Sequence, residues 1–437
     1  MGSKNTAAAP SLEELRAELQ KCVKCGACQG VCPIYAETRR ETDVARGKLS
    51  LLEAATEGSL PYSSNYDQIL NNCLLCLACV ESCSSSVRVD RLIVQARQAL
   101  VETRGLPRSR RSAHALLKGG QRRLNYLLQG GSLLQSLLLR RVPQSSGLRR
   151  RFPLPGVQAD QILPRLTLRP FRQRHPEHVQ APEAVQKAIF FTGCSTNYIF
   201  PEIGEAVLKV LGSLGVSLII PAAQGCCGAP VEAAGDSETF ISLTRSNLQA
   251  LLQQDQELKV LVCCSSGGYM LKKVYPELLA ADAQLAGPAR DLASRTFDIS
   301  EYLVQVIGLD RIAAKITSPI LDRTTYHDPC HLKRGQGISQ EPRQLLELCC
   351  GEKFLEMRDA DRCCGLGGTY GLTHREMSKR IRHRKLEVIQ EVQAELVATG
   401  CPACMLQLRE GLHHFAPGIQ VKHTIQVLAR AMGLEQE

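Results

Sequence analysis

Apolar residues in the first hundred positions recur at the spacing of α-helices. The segments 44–55 and 89–101 each gather their apolar residues on one helical face. Ser11 and Glu14 form the capping-box pattern that marks the start of a further helix. This pattern predicts a mostly helical domain over residues 11–105.

Residues 106–185 carry a different pattern, in which leucines alternate with arginines and Gly-Gly pairs and then give way to prolines. The spacing predicts helices followed by an irregular connector. Between residues 101 and 180 the chain has sixteen Arg and Lys against three acidic residues, a local net charge of +13. Because the whole chain has a net charge of +10, the residues outside this stretch have a net charge near −3. The stretch therefore holds all of the excess positive charge.

The basic, leucine-rich connector has three candidate roles. It could lie on an anionic membrane surface, contact an acidic partner, or serve as a solvated linker whose leucines pack on the protein. Nucleic acid is not an expected partner, because aromatic residues are scarce here and no binding motif accompanies the charge. Since no apolar run reaches the ~18 to 20 residues that span a bilayer, we expect a cytoplasmic protein, or one on the cytoplasmic face of a membrane.

From residue 186 onward short apolar runs alternate with helical segments, and the pattern occurs twice. The predicted strands are 188–192, 216–221 and 259–263 in the first copy, and 324–327, 353–357 and 395–399 in the second. Such alternation predicts βα units and a largely parallel sheet. We therefore expect two repeated α/β domains, over residues 186–310 and 320–433, and an α plus α/β fold for the chain as a whole.

Cysteines mark the same repeat. Cys194, Cys226, Cys227 and Cys264 of the first copy recur as Cys330, Cys363, Cys364 and Cys401 of the second, 136 or 137 residues later. Each group follows a predicted strand, where an open α/β sheet places its crevice, so three loops can bring the cysteines of one copy together. The second copy adds Cys404, whereas Gly267 stands at that position in the first. The first copy is therefore either a cluster site, with or without Cys263 as the replacement ligand, or a scaffold that has lost its metal.

The amino-terminal domain contains two runs of cysteines with the spacing C-x2-C-x2-C-x3-C. The runs are Cys22, Cys25, Cys28 and Cys32, then Cys73, Cys76, Cys79 and Cys83. In two-cluster ferredoxins the first three cysteines of a run bind one [4Fe-4S] cluster and the fourth binds the other. The predicted ligand sets are therefore Cys22, Cys25, Cys28 and Cys83 for one cluster, and Cys73, Cys76, Cys79 and Cys32 for the other. A zinc site would use two C-x2-C pairs instead.

Nothing in the sequence indicates that this chain binds a dinucleotide. The nearest approach to G-x-G-x-x-G begins at Gly365 and ends in Tyr370, and there is no P-loop. Twenty cysteines in an intracellular-looking chain argue for metal and against disulfides. Because hydride chemistry belongs to cofactors, we expect a chain of this kind to receive electrons from elsewhere.

Several motifs together resemble iron–sulfur subunits of FAD-linked glycolate and D-lactate dehydrogenases. They are Cys22-Val-Lys-Cys-Gly-Ala-Cys, Arg46-Gly47-Lys48, Gly193-Cys194, Gly225-Cys226-Cys227-Gly228, His327-Asp328-Pro329-Cys330-His331, Cys363-Cys364-Gly365 and His423. The two repeats resemble the cysteine-rich CCG domains of heterodisulfide reductase. The complete pattern there implies a non-cubane [4Fe-4S] cluster, whose ligands here would be Cys330, Cys363, Cys364, Cys401 and Cys404. The resemblance also implies an FAD-bearing partner subunit and a quinone or other electron acceptor.

Three functional hypotheses follow from the sequence. The first is the electron-transfer subunit of a 2-hydroxyacid dehydrogenase complex, in which another chain oxidises glycolate or D-lactate. The second is a catalytic subunit of the heterodisulfide reductase type, in which the non-cubane cluster itself acts. The third is a zinc-binding or redox-sensing scaffold without enzymatic activity.

Overall fold

The amino-terminal domain is helical, as its apolar spacing predicts. The computed structural model of the chain describes residues 12–61, 63–141, 147–152, 158 and 160–435. Ser11, the predicted capping residue, lies outside them. The helices of this domain are Leu12–Gln20, Ala27–Val31, Pro33–Thr38, Ala45–Thr56, Ser64–Asn71, Ala78–Glu81 and Val89–Arg104, with a 3-10 turn at Glu41–Asp43. Leu49, Leu70 and Ile93 are buried in its core, so the cysteine loops are attached to a packed helical scaffold.

The basic connector begins with two helices, Arg108–Lys118 and Gln121–Leu138. A small antiparallel sheet follows, made of β1 (Leu139–Arg141), β2 (Gly147–Arg150) and β3 (Leu163–Pro164). The sequence predicts the helices but misses this sheet, because arginine-rich segments with prolines lack the apolar alternation of a strand. Among the described residues no helix has the length and apolar character to cross a membrane.

The first repeat is built on a five-stranded sheet. Its strands lie in the order β4 (His178–Val179), β6 (Val216–Ile219), β5 (Gln186–Phe191), β7 (Lys259–Val262) and β8 (Thr296–Asp298). All neighbouring strands are parallel except β4 and β6. The three strands predicted in this copy are thus present, each ending one or two residues earlier than predicted. The helices are Phe171–Arg174, Gly193–Tyr198, Pro201–Ser213, Ala229–Ala233, Ser237–Leu252, Ser265–Tyr269, Tyr275–Leu278, Ala286–Ser294, Ile299–Tyr302 and Leu309–Ala313, with π-helical turns at Met270–Val274 and Leu303–Ile307.

The second repeat has three parallel strands. They lie in the order β11 (Gln420–His423), β10 (Leu396–Thr399) and β9 (Thr324–His327). The helices are Cys330–Gln336, Gln340–Cys350, Tyr370–Thr373, Arg375–Glu391, Pro402–Phe415 and Thr424–Ala431, with a 3-10 turn at Gly351–Lys353.

One strand prediction in the second repeat is wrong. Residues 353–357 form no strand, and a single parallel bridge joins Phe354 to Thr324. This bridge occupies the place beside β9 that β6 occupies beside β5 in the first repeat. The segment therefore lies where a strand was predicted, but it forms a single bridge instead of a continuous strand pairing. Glu356 lies in this segment and binds Arg343 at 2.8 Å, a contact with a neighbouring helix that the apolar pattern does not reveal.

The two repeats contact each other at equivalent positions. Cys264 and Cys401 follow the matching strands β7 and β10, and Cys264 packs against the apolar cluster that contains Cys401. Next to them, the Ser265 hydroxyl donates a hydrogen bond to the Gly400 carbonyl at 2.8 Å. The carboxyl ends of the two sheets therefore face each other.

The helical domain lies against both repeats. The Arg97 guanidinium donates a hydrogen bond to the Ala233 carbonyl of the first repeat at 2.7 Å. Arg334 of the second repeat pairs with Glu81 at 2.9 Å. The fold class predicted from the sequence is confirmed, and the amino-terminal cysteine loops lie close to the cysteine loops of the repeats.

Candidate metal centres

The two amino-terminal cysteine runs share one backbone conformation. Lys24 and Leu75 occupy the same place in their runs and both have positive φ, 55° and 52°. Gly26 and Leu77 are likewise equivalent, with φ of 88° and 63°. A left-handed leucine is strained, because its Cβ crowds the backbone there. Positive φ at equivalent positions of the two runs indicates that both loops have the same shape and direct their thiols in the same way.

Four cysteines of the predicted second set line one enclosed cavity of about 40 Å³. They are Cys32, Cys73, Cys76 and Cys79. Cys32 belongs to the first run by sequence, yet the structure places it with the first three cysteines of the second. Burial raises the pKa of the Cys32 thiol to about 12, and the charges of Cys76 and Cys73 add to the effect. A buried group of four thiols is a donor set suited to a positively charged iron centre.

The predicted first set lies nearer the surface. Cys22, Cys28 and Cys83 pack against the apolar core of the helical domain, whereas Cys25 is exposed. Burial raises the pKa of Cys28, and the neighbouring charge of Cys22 raises it further. The Arg46 side chain lies beside the same loop and donates to the Lys24 carbonyl at 3.3 Å.

Three cationic side chains near these loops are buried, and the sequence analysis does not single out two of them, Arg97 and Arg334. Arg97 is 5% exposed, and its guanidinium donates to the carbonyls of Leu70 and Cys73, each at 2.8 Å. Arg334 acts electrostatically on both Cys76 and Cys330. Lys48, which belongs to the Arg46-Gly47-Lys48 motif, is also buried. Arg97 could have been found from sequence, because it falls on the core-facing side of the predicted helix 89–101.

A second cavity, of about 230 Å³, lies between the repeats and the helical domain. All five cysteines of the complete pattern line it: Cys330, Cys363, Cys364, Cys401 and Cys404. The Cys330 and Cys363 sulfur atoms are 3.9 Å apart, and those of Cys364 and Cys404 are 3.7 Å apart. The sequence predicts that three loops bring these residues together, and the structure does so.

Cysteines of the first repeat reach the same cavity. Cys194, Cys227 and Cys264 line it, whereas Cys226 is buried outside the lining. Cys263 is buried in the apolar core, away from the cavity lining, so it does not stand in for the cysteine missing at Gly267. From the sequence, the cysteines of each repeat were expected to form separate sites. The structure shows that cysteines of both repeats line the same cavity.

His327 is placed to act on the cysteines of the second repeat. It is fully buried, and within the described part of the chain neither ring nitrogen has a hydrogen-bond partner. A ring nitrogen lies within 4.8 Å of the sulfur atoms of both Cys364 and Cys404. A buried imidazole without a partner is costly, and an iron–sulfur centre at these thiols would supply one.

His331 connects three parts of the molecule. One ring nitrogen, Nε2, lies 3.1 Å from the Leu75 carbonyl and the other, Nδ1, lies 3.1 Å from the Ser266 hydroxyl. Because a carbonyl only accepts, Nε2 carries the proton and Nδ1 accepts from Ser266. Burial lowers the pKa of His331, which keeps the ring neutral. His331 therefore links the loop of the second repeat to the loops that contain Leu75 and Ser266.

The remaining conspicuous residues have structural roles. Cys349 and Cys350 are buried among apolar side chains, as expected for thiols outside both patterns. His423 caps the helix Thr424–Ala431, and its Nε2 lies 3.0 Å from the Cys263 carbonyl.

Comparison with known proteins agrees with this arrangement. Residues 18–87 match the family described as a 4Fe-4S dicluster domain. Residues 188–272 and 324–409 each match the family described as a cysteine-rich domain, CCG. This chain therefore contains one dicluster domain and two CCG domains. All twenty of its cysteines are free thiols, so none is withdrawn from metal binding by a disulfide.

Relatives extend the resemblance over nearly the whole chain. The "Probable glycolate oxidase iron-sulfur subunit" of Bacillus subtilis is 28% identical over 424 residues, which cover 95% of this chain and 94% of that one. The "Glycolate oxidase iron-sulfur subunit" of Escherichia coli is 26% identical over 432 residues, 95% of each chain. "Lactate utilization protein A" of Oceanobacillus iheyensis is 26% identical over 242 residues, 55% of this chain and 96% of that protein. The resemblance to glycolate oxidase iron–sulfur subunits is thereby confirmed.

A solved structure shares the fold. The crystal structure of a hypothetical protein from Helicobacter pylori superimposes with a TM-score of 0.54 at 11% identity, covering 97% of this chain and 73% of that one. At this identity the match concerns the fold alone.

Proposed function

We propose that this chain is the electron-transfer subunit of a flavin-dependent 2-hydroxyacid dehydrogenase complex. An FAD-bearing partner subunit oxidises glycolate or D-lactate, and this chain passes the electrons to a quinone or another acceptor. The observation that carries the proposal is the packing of Cys32 and Cys76 against the buried cluster that contains Cys363. It joins the amino-terminal cysteine sets to the cavity between the repeats, as a single electron path would require.

The proposed cofactors are two amino-terminal [4Fe-4S] clusters and one non-cubane [4Fe-4S] cluster. The amino-terminal ligands are those predicted from spacing, Cys22, Cys25, Cys28 and Cys83 for one and Cys73, Cys76, Cys79 and Cys32 for the other. The third would be held by Cys330, Cys363, Cys364, Cys401 and Cys404. When bound, such clusters take up and release electrons one at a time. Arg97 and Arg334 would offset the negative charge of the thiolates, and the apolar packing around them would exclude water.

The first repeat is a candidate fourth site, with Cys194, Cys226, Cys227 and Cys264 as its thiols. Iron analysis of anaerobically prepared protein separates the cases. We expect about twelve iron atoms and as many acid-labile sulfides per chain for three clusters, and about sixteen for four. About eight would leave only the amino-terminal pair, and stoichiometric zinc would contradict the proposal.

The experiment that tests the electron-transfer role uses the native complex. After addition of glycolate or D-lactate, flavin bleaching and reduction of a quinone analogue are followed separately. The complex should show both, and the flavoprotein without this chain should bleach but pass no electrons to the quinone. Equal quinone reduction with and without this chain would overturn the proposal.

A second function is supported by the cavity of about 230 Å³. Besides thiols of both repeats it is lined by Arg91, Tyr269 and His331, so a small ligand with a polar group would find partners there. Tyr269 donates a hydrogen bond to Asp90 at 3.3 Å, and its ring centre lies 4.9 Å from that of His331. Such a pocket would suit a catalytic subunit of the heterodisulfide reductase type. Disulfide reduction by the isolated chain with an artificial electron donor would favour this function, and inertness without the flavoprotein would favour the first.

A further inference from the structure

The helix Gln121–Leu138 of the connector turns its polar side chains toward the protein. Asn125 accepts a hydrogen bond from the Tyr198 hydroxyl at 2.7 Å. Ser132 donates to the Leu166 carbonyl at 2.9 Å, and Gln135 donates to the Pro164 carbonyl at 3.2 Å. These contacts fix the rotation of the helix about its axis.

The opposite face of this helix is apolar and exposed. Tyr126, Leu133 and Leu137 follow one another at helical spacing and are 76%, 59% and 68% exposed. Leu127 and Leu134 flank the stripe and are more than half exposed. A surface helix of a globular protein ordinarily buries its apolar stripe and exposes its polar one. Here Leu124 is buried in the ordinary way, but the stripe of Tyr126, Leu133 and Leu137 is exposed and is therefore available to something outside the chain.

The charge around this face indicates what covers it. From residue 103 to residue 159 the chain has twelve Arg and Lys and no acidic residue. Arg123 and Arg140 are exposed near the two ends of the helix, and Arg151 is exposed beside Phe152, whose ring is also exposed. A protein partner usually offers charges of both signs, whereas an anionic leaflet offers one sign over its whole surface. An apolar helical stripe flanked by arginines and aromatic rings is typical of a helix that lies in the plane of a bilayer.

We infer that the connector docks this protein on an anionic lipid bilayer. The helix Gln121–Leu138 lies parallel to the surface, with Tyr126, Leu133 and Leu137 entering the boundary between headgroups and acyl chains. The arginines contact lipid phosphates. This inference does not depend on the identity of the electron donor or on the number of clusters.

Vesicle flotation of the full chain with its clusters tests this inference. The protein should float with vesicles of phosphatidylcholine and phosphatidylglycerol, stay unbound with phosphatidylcholine alone, and detach as salt is raised. The double variant Leu133→Glu/Leu137→Glu should bind at least tenfold more weakly, because it removes two inserted side chains and adds repulsion. Arg140→Gln and Arg151→Gln should each weaken binding about fivefold.

Leu321→Glu is the matched control, because Leu321 is 77% exposed but lies outside the connector. Its binding should equal that of the unaltered chain, and all variants should keep their visible absorbance and melting temperature. Absence of binding to anionic vesicles would overturn the inference. So would equal binding to neutral vesicles, an equal loss in the Leu321 variant, or a dimer that the Leu133→Glu/Leu137→Glu variant disrupts.

Discussion

Cys76 of the helical domain packs against the buried cluster that contains Cys363 of the second repeat. The hydrogen bond from Cys363 is the main reason that the pKa of Cys76 falls to about 6, in spite of burial. A thiolate is the form that binds iron. Two sites that are far apart in sequence are thus joined through sulfur, and the proposed electron path depends on this junction.

Replacing Cys76 with Ala should stop electron flow without affecting the first half-reaction. In the complex, hydroxy-acid-dependent flavin bleaching should continue, while quinone reduction falls to the level seen without this chain. One of the two amino-terminal EPR signals should disappear, because a cubane that loses a ligand is destabilised.

Cys350→Ala is a suitable control for Cys76→Ala. Cys350 is also a buried cysteine, but it packs among apolar side chains. Its replacement should leave both signals and the quinone rate unchanged. Normal turnover in the Cys76 variant would contradict the proposed path.

Replacing Arg97 with Gln should destabilise the second amino-terminal site. The change leaves the carbonyls of Leu70, Cys73 and Ala233 without their donor, and we expect a loss of about 3 kcal/mol or more in unfolding free energy. Thermal melting followed by the visible absorbance of the clusters would measure it. Arg104→Gln, at an exposed position of the same helix, should change stability by no more than about 0.5 kcal/mol. Equal effects of the two changes would refute the role given to Arg97.

Replacing His327 with Leu should lower the reduction potential of the centre in the second repeat. The ring lies beside Cys364 and Cys404, and hydrogen bonds to cluster sulfurs stabilise the reduced form. Loss of one such bond corresponds to roughly 1 kcal/mol, or about 40 mV for a one-electron couple. A redox titration monitored by EPR should show this shift while the amino-terminal potentials stay constant. A shift in all centres would indicate a general structural change instead.

The stability of the first repeat should depend on the ionisation of Asp298. Burial raises the pKa of this carboxyl from 3.8 to about 7. Because the folded state holds a proton that the unfolded state releases, stability falls as pH rises from about 4 to 7 and then levels off. Asp298→Asn should therefore match the unaltered chain at pH 4 and exceed it at pH 8, on the order of 4 kcal/mol.

Melting curves at several pH values would show the effect of Asp298→Asn. Asp291→Asn, at an exposed position of the preceding helix, should give no difference between the two pH values. A constant offset for the Asp298 variant at every pH would show that its effect is not one of ionisation.

The sequence predicts local structure in this protein well. The spacing of apolar residues identified the strand at 324–327 at both ends, and the cysteine spacing predicted that Cys32 joins the second run, as the structure has it. Both predictions depend on residues that are close in sequence. A strand is identified by the spacing of its apolar side chains, and a cluster-binding loop by the spacing of its cysteines. The strand predicted at 353–357 does not form; its apolar residues are interrupted by Lys353 and by Glu356, which binds Arg343 of a neighbouring helix.

Contacts between distant segments were beyond sequence reasoning. No periodicity indicates that Cys264 meets Cys401, because that depends on how two separately folded sheets face each other. The sequence leaves open whether the leucines of the connector pack on the protein or face outward. The structure divides them, because Leu124 is buried whereas Leu133 and Leu137 are exposed on the face opposite the hydrogen bonds of Asn125, Ser132 and Gln135.

The exposure of Cys25 affects how the protein must be handled. Among its predicted partners this thiol is the one that is open to solvent, whereas Cys32 and the cysteines of the interior cavities are shielded. Oxygen attacks sulfur where it is accessible. In a preparation exposed to air, the proposed cluster that includes Cys25 should therefore be oxidised first. The loss of its absorbance and EPR signal before those of the other centres would measure the extent of air damage.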